Sequence, residues 1–307
     1  MKLNSRVCNL SLQHPVMNGS GLLGATKQQI SIMCSWGLAA IVTKTITRYP
    51  RVMNKPPNIL YLSDLGAIIN SLGLPNPGAE RLHELVQEAK AHGLPTIVSV
   101  GGSSVREYIE VSSRTEEAGA DAVELNLSCP TTSGYGLNAV TDSQVLYEIV
   151  KSVSSIIRLP VIAKLGIDLR NGLISLVGKA LEGGAKAVTL INSVRVVSID
   201  PERLAYSLSS SNMGYSGAPI FYVGLRAVHD VYREYKAEII GCGGIRHWGD
   251  VASYILAGAR AVQLVTSLMR ARKPGEYLNN LLRGLEDWLE RKGFSSLEEA
   301  IGYIHRI

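Results

Sequence analysis

The residues in this sequence best suited to chemistry stand where short apolar runs stop. Ser20, Lys44, Thr45, Ser99, Asn126, Ser128, Cys129, Lys164, Asn192, Ser193, Gly243, Gly244, Thr266 and Ser267 all occupy such positions. Amides and hydroxyls converging with two lysines suit a planar substrate that displays donors and acceptors on its edge, because unpaired polar groups there are costly. Lys164 lies inside Val161-Ile-Ala-Lys-Leu165, where a buried ammonium needs a negative partner. It could form a Schiff base, as in a lyase, or sit beside a cofactor that develops negative charge. Lys44 raises the same choice, and two lysines around one cavity suit an anionic substrate or a reduced anionic cofactor.

Cys129 precedes Pro130 and a loop of Thr, Ser, Gly and Tyr, so it is expected at a strand exit. There a thiolate could act as base or nucleophile, whereas a free cysteine elsewhere is commonly a small buried hydrophobe. Cys242 sits between glycines and reads as structural. Gly241-Cys-Gly-Gly244 and Val265-Thr-Ser267 close two successive runs, and backbone N–H groups at such glycines can approach a phosphate. The competing reading is a tight turn that needs positive φ. His83, His92, His229 and His247 fall in or near helices without metal spacing and read as surface histidines.

The elements that must position these groups are eight β-branched runs, at residues 16–21, 39–45, 95–101, 122–128, 160–166, 187–193, 238–244 and 261–267. Runs this continuous suit strands buried on both faces, and helical patterns between them select an α/β architecture. Gly-Ala-x-Ala-Val-x-Leu recurs at Gly119, Gly184 and Gly258, each time where a helix gives way to a strand. Copies two βα units apart predict a closed (β/α)8 TIM barrel, one domain over residues 1–307, with catalytic groups at the C-terminal strand ends. Residues 48–77 and 194–219 are long for βα loops and are candidate walls or lids. Ser296-x-x-Glu299 resembles a capping box opening a last helix over residues 300–304.

Composition narrows the class. Hydrophobic residues make up 46% of the chain and charged ones 19%, which excludes disorder. No long apolar stretch follows the N-terminal charges, so the expectation is a cytoplasmic protein without signal peptide or membrane anchor. Four scattered cysteines form no C-x-x-C pair, which argues against a disulfide framework, zinc site or self-contained cluster. The net charge of +5 is modest and suits anionic ligands; Arg270-Ala-Arg-Lys273 reads as a solvated loop rather than a phosphate grip.

At Glu124-Leu-Asn-Leu-Ser-Cys-Pro130, Ile69-Asn-Ser-Leu-Gly-Leu-Pro-Asn76 and Leu190-Ile-Asn-Ser193, with Thr43-Lys-Thr45, Ser216-Gly217 and Gly243-Gly244, the sequence resembles the class 1 dihydroorotate dehydrogenases over residues 16–269. The resemblance implies an FMN-dependent barrel of pyrimidine synthesis that oxidises dihydroorotate to orotate. It assigns Cys129 as the base that removes the C5 proton while hydride leaves C6 for the flavin. It places Lys44, Asn70, Ser71, Leu72, Gly73, Leu74, Asn126, Asn192 and Ser193 around the substrate. Lys164 then balances charge on the reduced flavin, and Ser20, Lys44, Thr45, Ser99, Asn126, Ile191, Gly217, Gly243, Gly244, Val265 and Thr266 surround FMN.

The sequence departs from the family pattern in three places. Thr131 stands where an Asn usually follows Cys-Pro, Phe221-Tyr222 where many members carry Lys-Pro, and Val265 where a Gly is usual. The sequence as it reads from Met1 shows no hydrophobic N-terminal extension, so the expectation is the class 1 enzymes rather than the membrane-associated class 2. The resemblance implies either a homodimer using fumarate or a heterotetramer with an iron–sulfur flavoprotein electron-transfer subunit using NAD, with no nucleic acid or membrane as partner. Competing readings are dihydrouridine synthase, another FMN barrel; a Schiff-base lyase acting through Lys164; and a non-catalytic binding barrel.

Overall fold

The computed structural model describes residues 2–128, 142–167 and 172–307. Each of the eight apolar runs overlaps one strand, the last of which begins two residues ahead of its run: β1 Val16–Asn18, β2 Ile41–Val42, β3 Thr96–Val100, β4 Ala122–Asn126, β5 Val161–Leu165, β6 Ala187–Leu190, β7 Ile239–Cys242 and β8 Ala259–Leu264. They form one parallel sheet in the order β1-β8-β7-β6-β5-β4-β3-β2. The strands stop short of the runs' ends because the terminal polar residues turn out of the ladder. Thr266 and Ser267, for example, open a short helix over Thr266–Arg270.

A side chain helps close the barrel. No continuous ladder joins β1 to β2. Instead Ala39 N–H donates to the Val16 carbonyl at 3.0 Å, and the buried Asn18 amide bridges to Val42. Its Nδ2 donates to the Val42 carbonyl at 2.6 Å and its Oδ1 accepts from Val42 N–H at 3.0 Å. The side chain thus stands in for a missing rung and satisfies two backbone groups that water cannot reach.

Alternation along the strands divides the core in two. Met17, Val42, Ile97, Ala122, Ile162, Ala187, Ile240 and Ala261 form one apolar layer inside the barrel, joined by Val7, Cys8 and Leu12. Those last residues belong to the antiparallel hairpin Ser5–Val7/Leu10–Leu12, which seals the barrel at the strands' N-terminal end. Two residues further along the same inward parity come Ser99, Glu124, Lys164, Thr189, Cys242 and Gln263, so the lumen changes from apolar to polar toward the C-terminal strand ends.

The larger core lies between strands and helices. The helix Ser143–Ile156 shows why: Leu146, Ile149, Val150 and Val153 are buried on one stripe, and the Asp142 side chain caps its start. The repeated glycines 119, 184 and 258 all have positive φ, as a residue ending a helix ahead of a strand requires.

The two long excursions are not loops but one structure. Ile59–Leu62 and Ala67–Asn70 pair as a hairpin, and Met213–Gly217 and Val194–Val196 extend it into a four-stranded antiparallel sheet. This sheet covers the C-terminal face of the barrel. At the chain's end Ser296 is the helix N-cap as expected, but its side chain makes no capping bond; Glu299 reaches back and accepts from the Ser295 N–H and hydroxyl at 2.7 and 2.6 Å. The helix is Leu297–Ala300, followed by a 3-10 turn over Tyr303–His305. Among the described residues, no helix is long and apolar enough to cross a membrane.

Replacing Asn18 with Ala should destabilise the protein by about 2–3 kcal/mol, because two buried backbone groups of Val42 lose their partner. Equilibrium urea unfolding would show a lowered midpoint; an unchanged midpoint would mean the barrel seam does not depend on this side chain.

Candidate active site

A cavity of about 490 Å³ opens at the C-terminal ends of the strands. The barrel contributes Ser20, Lys44, Thr45, Asn126, Lys164, Ile191, Asn192 and Ser193; the covering sheet contributes Ile68 and Asn70 from one excursion, followed by Leu72 and Leu74 just past its strand, with Ser216 and Gly217 from the other. Gly243, Gly244, Val265 and Thr266 form the remaining wall. Three of the expected residues stand behind the lining instead. Ser99 is fully buried and bonds the Thr45 hydroxyl at 3.0 Å. The Ser71 hydroxyl donates to the Asn212 carbonyl at 2.7 Å, and the Gly73 carbonyl accepts from Arg51 at 3.1 Å. Cys129 and Thr131 lie outside the described residues.

The floor is ionic. Lys164 is 3% exposed and Glu124 not at all; the ammonium stands 3.3 Å from Glu124 Oε1. Lys164 also donates to Gln263 Oε1 at 2.7 Å, while Gln263 Nε2 donates to Glu124 Oε2 at 2.6 Å and the Thr189 hydroxyl donates to that same oxygen at 2.9 Å. Only this orientation of the Gln263 amide serves both charges, since the reverse would set NH2 against the ammonium and oxygen against the carboxylate. Glu124 is the negative partner that a buried Lys164 requires. Sequence reasoning quoted it within a motif without giving it a role. The available signal was an acid inside an apolar run, two residues before Asn126 and so on the same side of the strand.

Above the floor runs a chain of amides and hydroxyls. Asn192 Nδ2 donates to Asn126 Oδ1 at 3.1 Å, Asn126 Nδ2 donates to Thr45 Oγ1 at 3.1 Å, and Thr45 is 3.0 Å from Ser20 Oγ. Ser193 N–H donates to Asn192 Oδ1 at 2.8 Å, which fixes the orientation of the first amide. Tyr108 holds the end of β4 by donating to the Asn126 carbonyl at 2.9 Å. Cys242 also lines the cavity. Burial pushes its thiol above the ordinary range, opposed by Lys164 and reinforced by Glu124, so it is a neutral thiol at physiological pH, as a structural cysteine should be.

The glycine turn also answers to its packing. A Cβ on Gly244 would fall 2.5 Å from the backbone of Phe221, so this glycine, with φ +72°, makes room for the helix Phe221–Tyr235 while its backbone lines the cavity. Tyr254 braces the turn by donating to the Gly243 carbonyl at 2.8 Å. Thr266 Oγ1 bonds Ser216 Oγ at 3.1 Å and ties this wall to the covering sheet. Arg270, expected on a solvated loop, reaches the cavity wall and donates to the Ser63 carbonyl at 3.1 Å.

Val265, unusual for a position where glycine was expected, has its own accommodation. Cβ atoms at Gly19 and Gly21 would lie 2.9 and 2.5 Å from its methyl groups. The space released across the wall offsets the larger side chain.

The family profile described as dihydroorotate dehydrogenase matches residues 2–289. The chain belongs to the dihydroorotate dehydrogenase family. An Aeropyrum pernix chain, provisionally named dihydroorotate dehydrogenase A (fumarate), is 38% identical over 99% of this chain and 98% of its own length. The dihydroorotate dehydrogenase B (NAD(+)) catalytic subunit of Saccharolobus solfataricus is 37% identical over 96% and 97%. The fold matches a crystal structure of a dihydroorotate dehydrogenase with ferulenol from Eimeria tenella at TM-score 0.85, with 24% identity over 99% of this chain and 89% of that one. Family membership makes the chain an FMN-dependent oxidoreductase of pyrimidine biosynthesis.

The cavity fits FMN. Its volume falls within the range of about 300–1,000 Å³ usual for ligand sites. Leu22, Ile191, Ile220 and Ile245 offer apolar surface for a ring system, and Lys164, Asn126, Thr45 and Ser20 offer donors for its polar edge. The turn at Gly243 and the wall at Thr266 and Arg270 supply donors and positive charge for a phosphate.

Replacing Gly21 with Ala should cost about 1–3 kcal/mol through overpacking against Val265, whose branched side chain cannot turn aside. Adding Val265→Ala should recover most of that loss. Thermal unfolding of the single and double variants would measure the coupling; additive losses would show that these residues do not compete for space.

Proposed function

We propose that this cavity oxidises dihydroorotate to orotate, with Cys129 as base, Lys164 beside FMN and the Asn126–Asn192 amides on the substrate. The observation that carries the reading is the buried Lys164 ammonium at the foot of a chain of oriented amides and hydroxyls. FMN, when bound, supplies the acceptor for the hydride that leaves C6 of the substrate. Lys164 holds positive charge where negative charge accumulates. Asn126 and Asn192 hold one another's amides in a fixed sense and leave their remaining polar edges for the pyrimidine ring. Asn70 and Ser193 add donors from opposite walls, Lys44 attracts the substrate carboxylate, and the covering sheet keeps water from the ring. Ser20, Thr45, Ile191, Gly217, Gly243, Gly244, Val265 and Thr266 would contact FMN, with Ser99 supporting that surface from behind. Ser71 and Gly73 would likewise support Asn70, Leu72 and Leu74.

Cys129 takes the C5 proton as a thiolate, so flavin reduction should accelerate as pH rises and the thiol ionises. Cys129→Ala should leave FMN bound and slow reduction by dihydroorotate roughly a hundred- to ten-thousandfold. Anaerobic stopped-flow absorbance across pH measures both effects. A variant that bleaches its flavin as fast as the parent would remove Cys129 from the mechanism.

Electrons then leave through a separate subunit, an iron–sulfur flavoprotein, in a cytoplasmic heterotetramer; the naming of the Saccharolobus solfataricus relative as a catalytic subunit supports this. The Aeropyrum pernix relative, named for fumarate, supports a second reading in which a homodimer passes electrons to fumarate directly. The isolated chain should turn over slowly with NAD. Rapid NAD reduction by dihydroorotate without added subunit would refute the first arrangement, and efficient turnover with fumarate would favour the second.

A further inference from the structure

The reaction as described uses Lys164 but leaves Glu124 without a function, although it is a fully buried carboxylate on the same barrel layer. Its two oxygens are treated differently. Oε2 accepts from Gln263 at 2.6 Å and from Thr189 at 2.9 Å. Oε1 has no hydrogen bond in good geometry and faces the Lys164 ammonium at 3.3 Å. A buried carboxylate held this way would be costly as a mere filler of the lumen. Its neighbours in the layer are polar but neutral, so its charge acts chiefly on Lys164.

We propose that Glu124 is a positioning residue for the reaction: its carboxylate fixes the Lys164 ammonium at the cavity floor and offsets its charge, and so sets how strongly the cavity favours reduced over oxidised FMN. This rests on the FMN reading of the cavity. Gln263 and Glu124 engage the ammonium from the barrel side, which fixes where its positive charge meets the ligand. Glu124 lies behind that ammonium and opposes the field it projects. An anion developing in the cavity therefore meets a nearly neutral pair, strongly attractive only at short range, rather than a full cation. Lys44, on the lining as well, adds a second positive charge, and the neutral thiol of Cys242 adds none.

The test is the midpoint potential of the bound FMN, measured anaerobically by dye equilibration on the FMN-loaded whole chain. Glu124→Gln removes the opposing charge, so the preference for reduced over oxidised FMN should rise on the order of tenfold or more, a positive shift of at least about 30 mV for a two-electron couple. Thr189→Val should do the reverse. It deletes a neutral donor to Oε2 and leaves the carboxylate's charge less screened, so the preference should fall by roughly two- to fivefold. A merely structural role would move both variants in the same direction. If Glu124→Gln does not fold, the Thr189→Val shift decides alone, and no shift or a rise overturns the proposal. Equal or same-signed shifts in the two variants overturn it as well. A parent chain that takes up no FMN would overturn the cofactor reading and this proposal together, whereas a loaded parent with unresponsive variants overturns this proposal only.

Discussion

A buried ammonium beside a buried carboxylate is the constraint around which this barrel is arranged. Lys164 and Glu124 project into the lumen, buried and 3.3 Å apart. Two desolvated charges persist there only with close mutual approach and hydrogen bonds to the remaining atoms. Gln263 supplies an acceptor to one and a donor to the other, and Thr189 completes the carboxylate. Four strands, β4, β5, β6 and β8, thus each commit an inward position to one network. The apolar layer beneath, sealed by the N-terminal hairpin, keeps that network from solvent on its far side and leaves Lys164 as the charged member that lines the cavity.

The surrounding architecture divides the remaining work. The barrel supplies charge and oriented amides from rigid strand ends, while the four-stranded sheet built from two distant excursions supplies the cover and the outer substrate wall. Hydrogen bonds from Asn70 to the Gly214 carbonyl and from Ser71 to the Asn212 carbonyl tie the two excursions to each other close to the site. Both would have to be formed for the cavity to have its shape. A chain folded only as a barrel would leave the reacting centre open to water.

The barrel was readable in the sequence because strands buried on both faces appear as uninterrupted apolar runs, and all eight did. Most proposed site residues also line the cavity, since the polar residues that end such runs can go only to the C-terminal face. What escaped were relations between distant residues. The pairing of Asn70 with Gly214 spans 144 positions, and no local pattern announces it, so two strands-rich excursions read as loops. Glu124 was visible as an acid among apolar residues, yet its link to Lys164 depends on the register of β4 against β5. Gly244 illustrates a constraint hidden in the same way. It lines the cavity, but the neighbour that a side chain there would meet is the backbone of Phe221, 23 positions earlier in the chain. At the last helix Ser296 is the N-cap that the spacing predicts, yet Glu299 also takes the hydroxyl and N–H of Ser295, which spacing alone does not resolve.

The central claim is that this cavity holds FMN and lets dihydroorotate reduce it. The most direct measurement is the visible spectrum of the purified chain, reconstituted with FMN and titrated anaerobically with dihydroorotate. The account predicts one FMN per chain and bleaching of its absorbance that saturates as the substrate is added, with orotate appearing in equal amount to the flavin reduced. A protein that takes up no FMN, or a bound flavin whose spectrum dihydroorotate leaves unchanged, would contradict it.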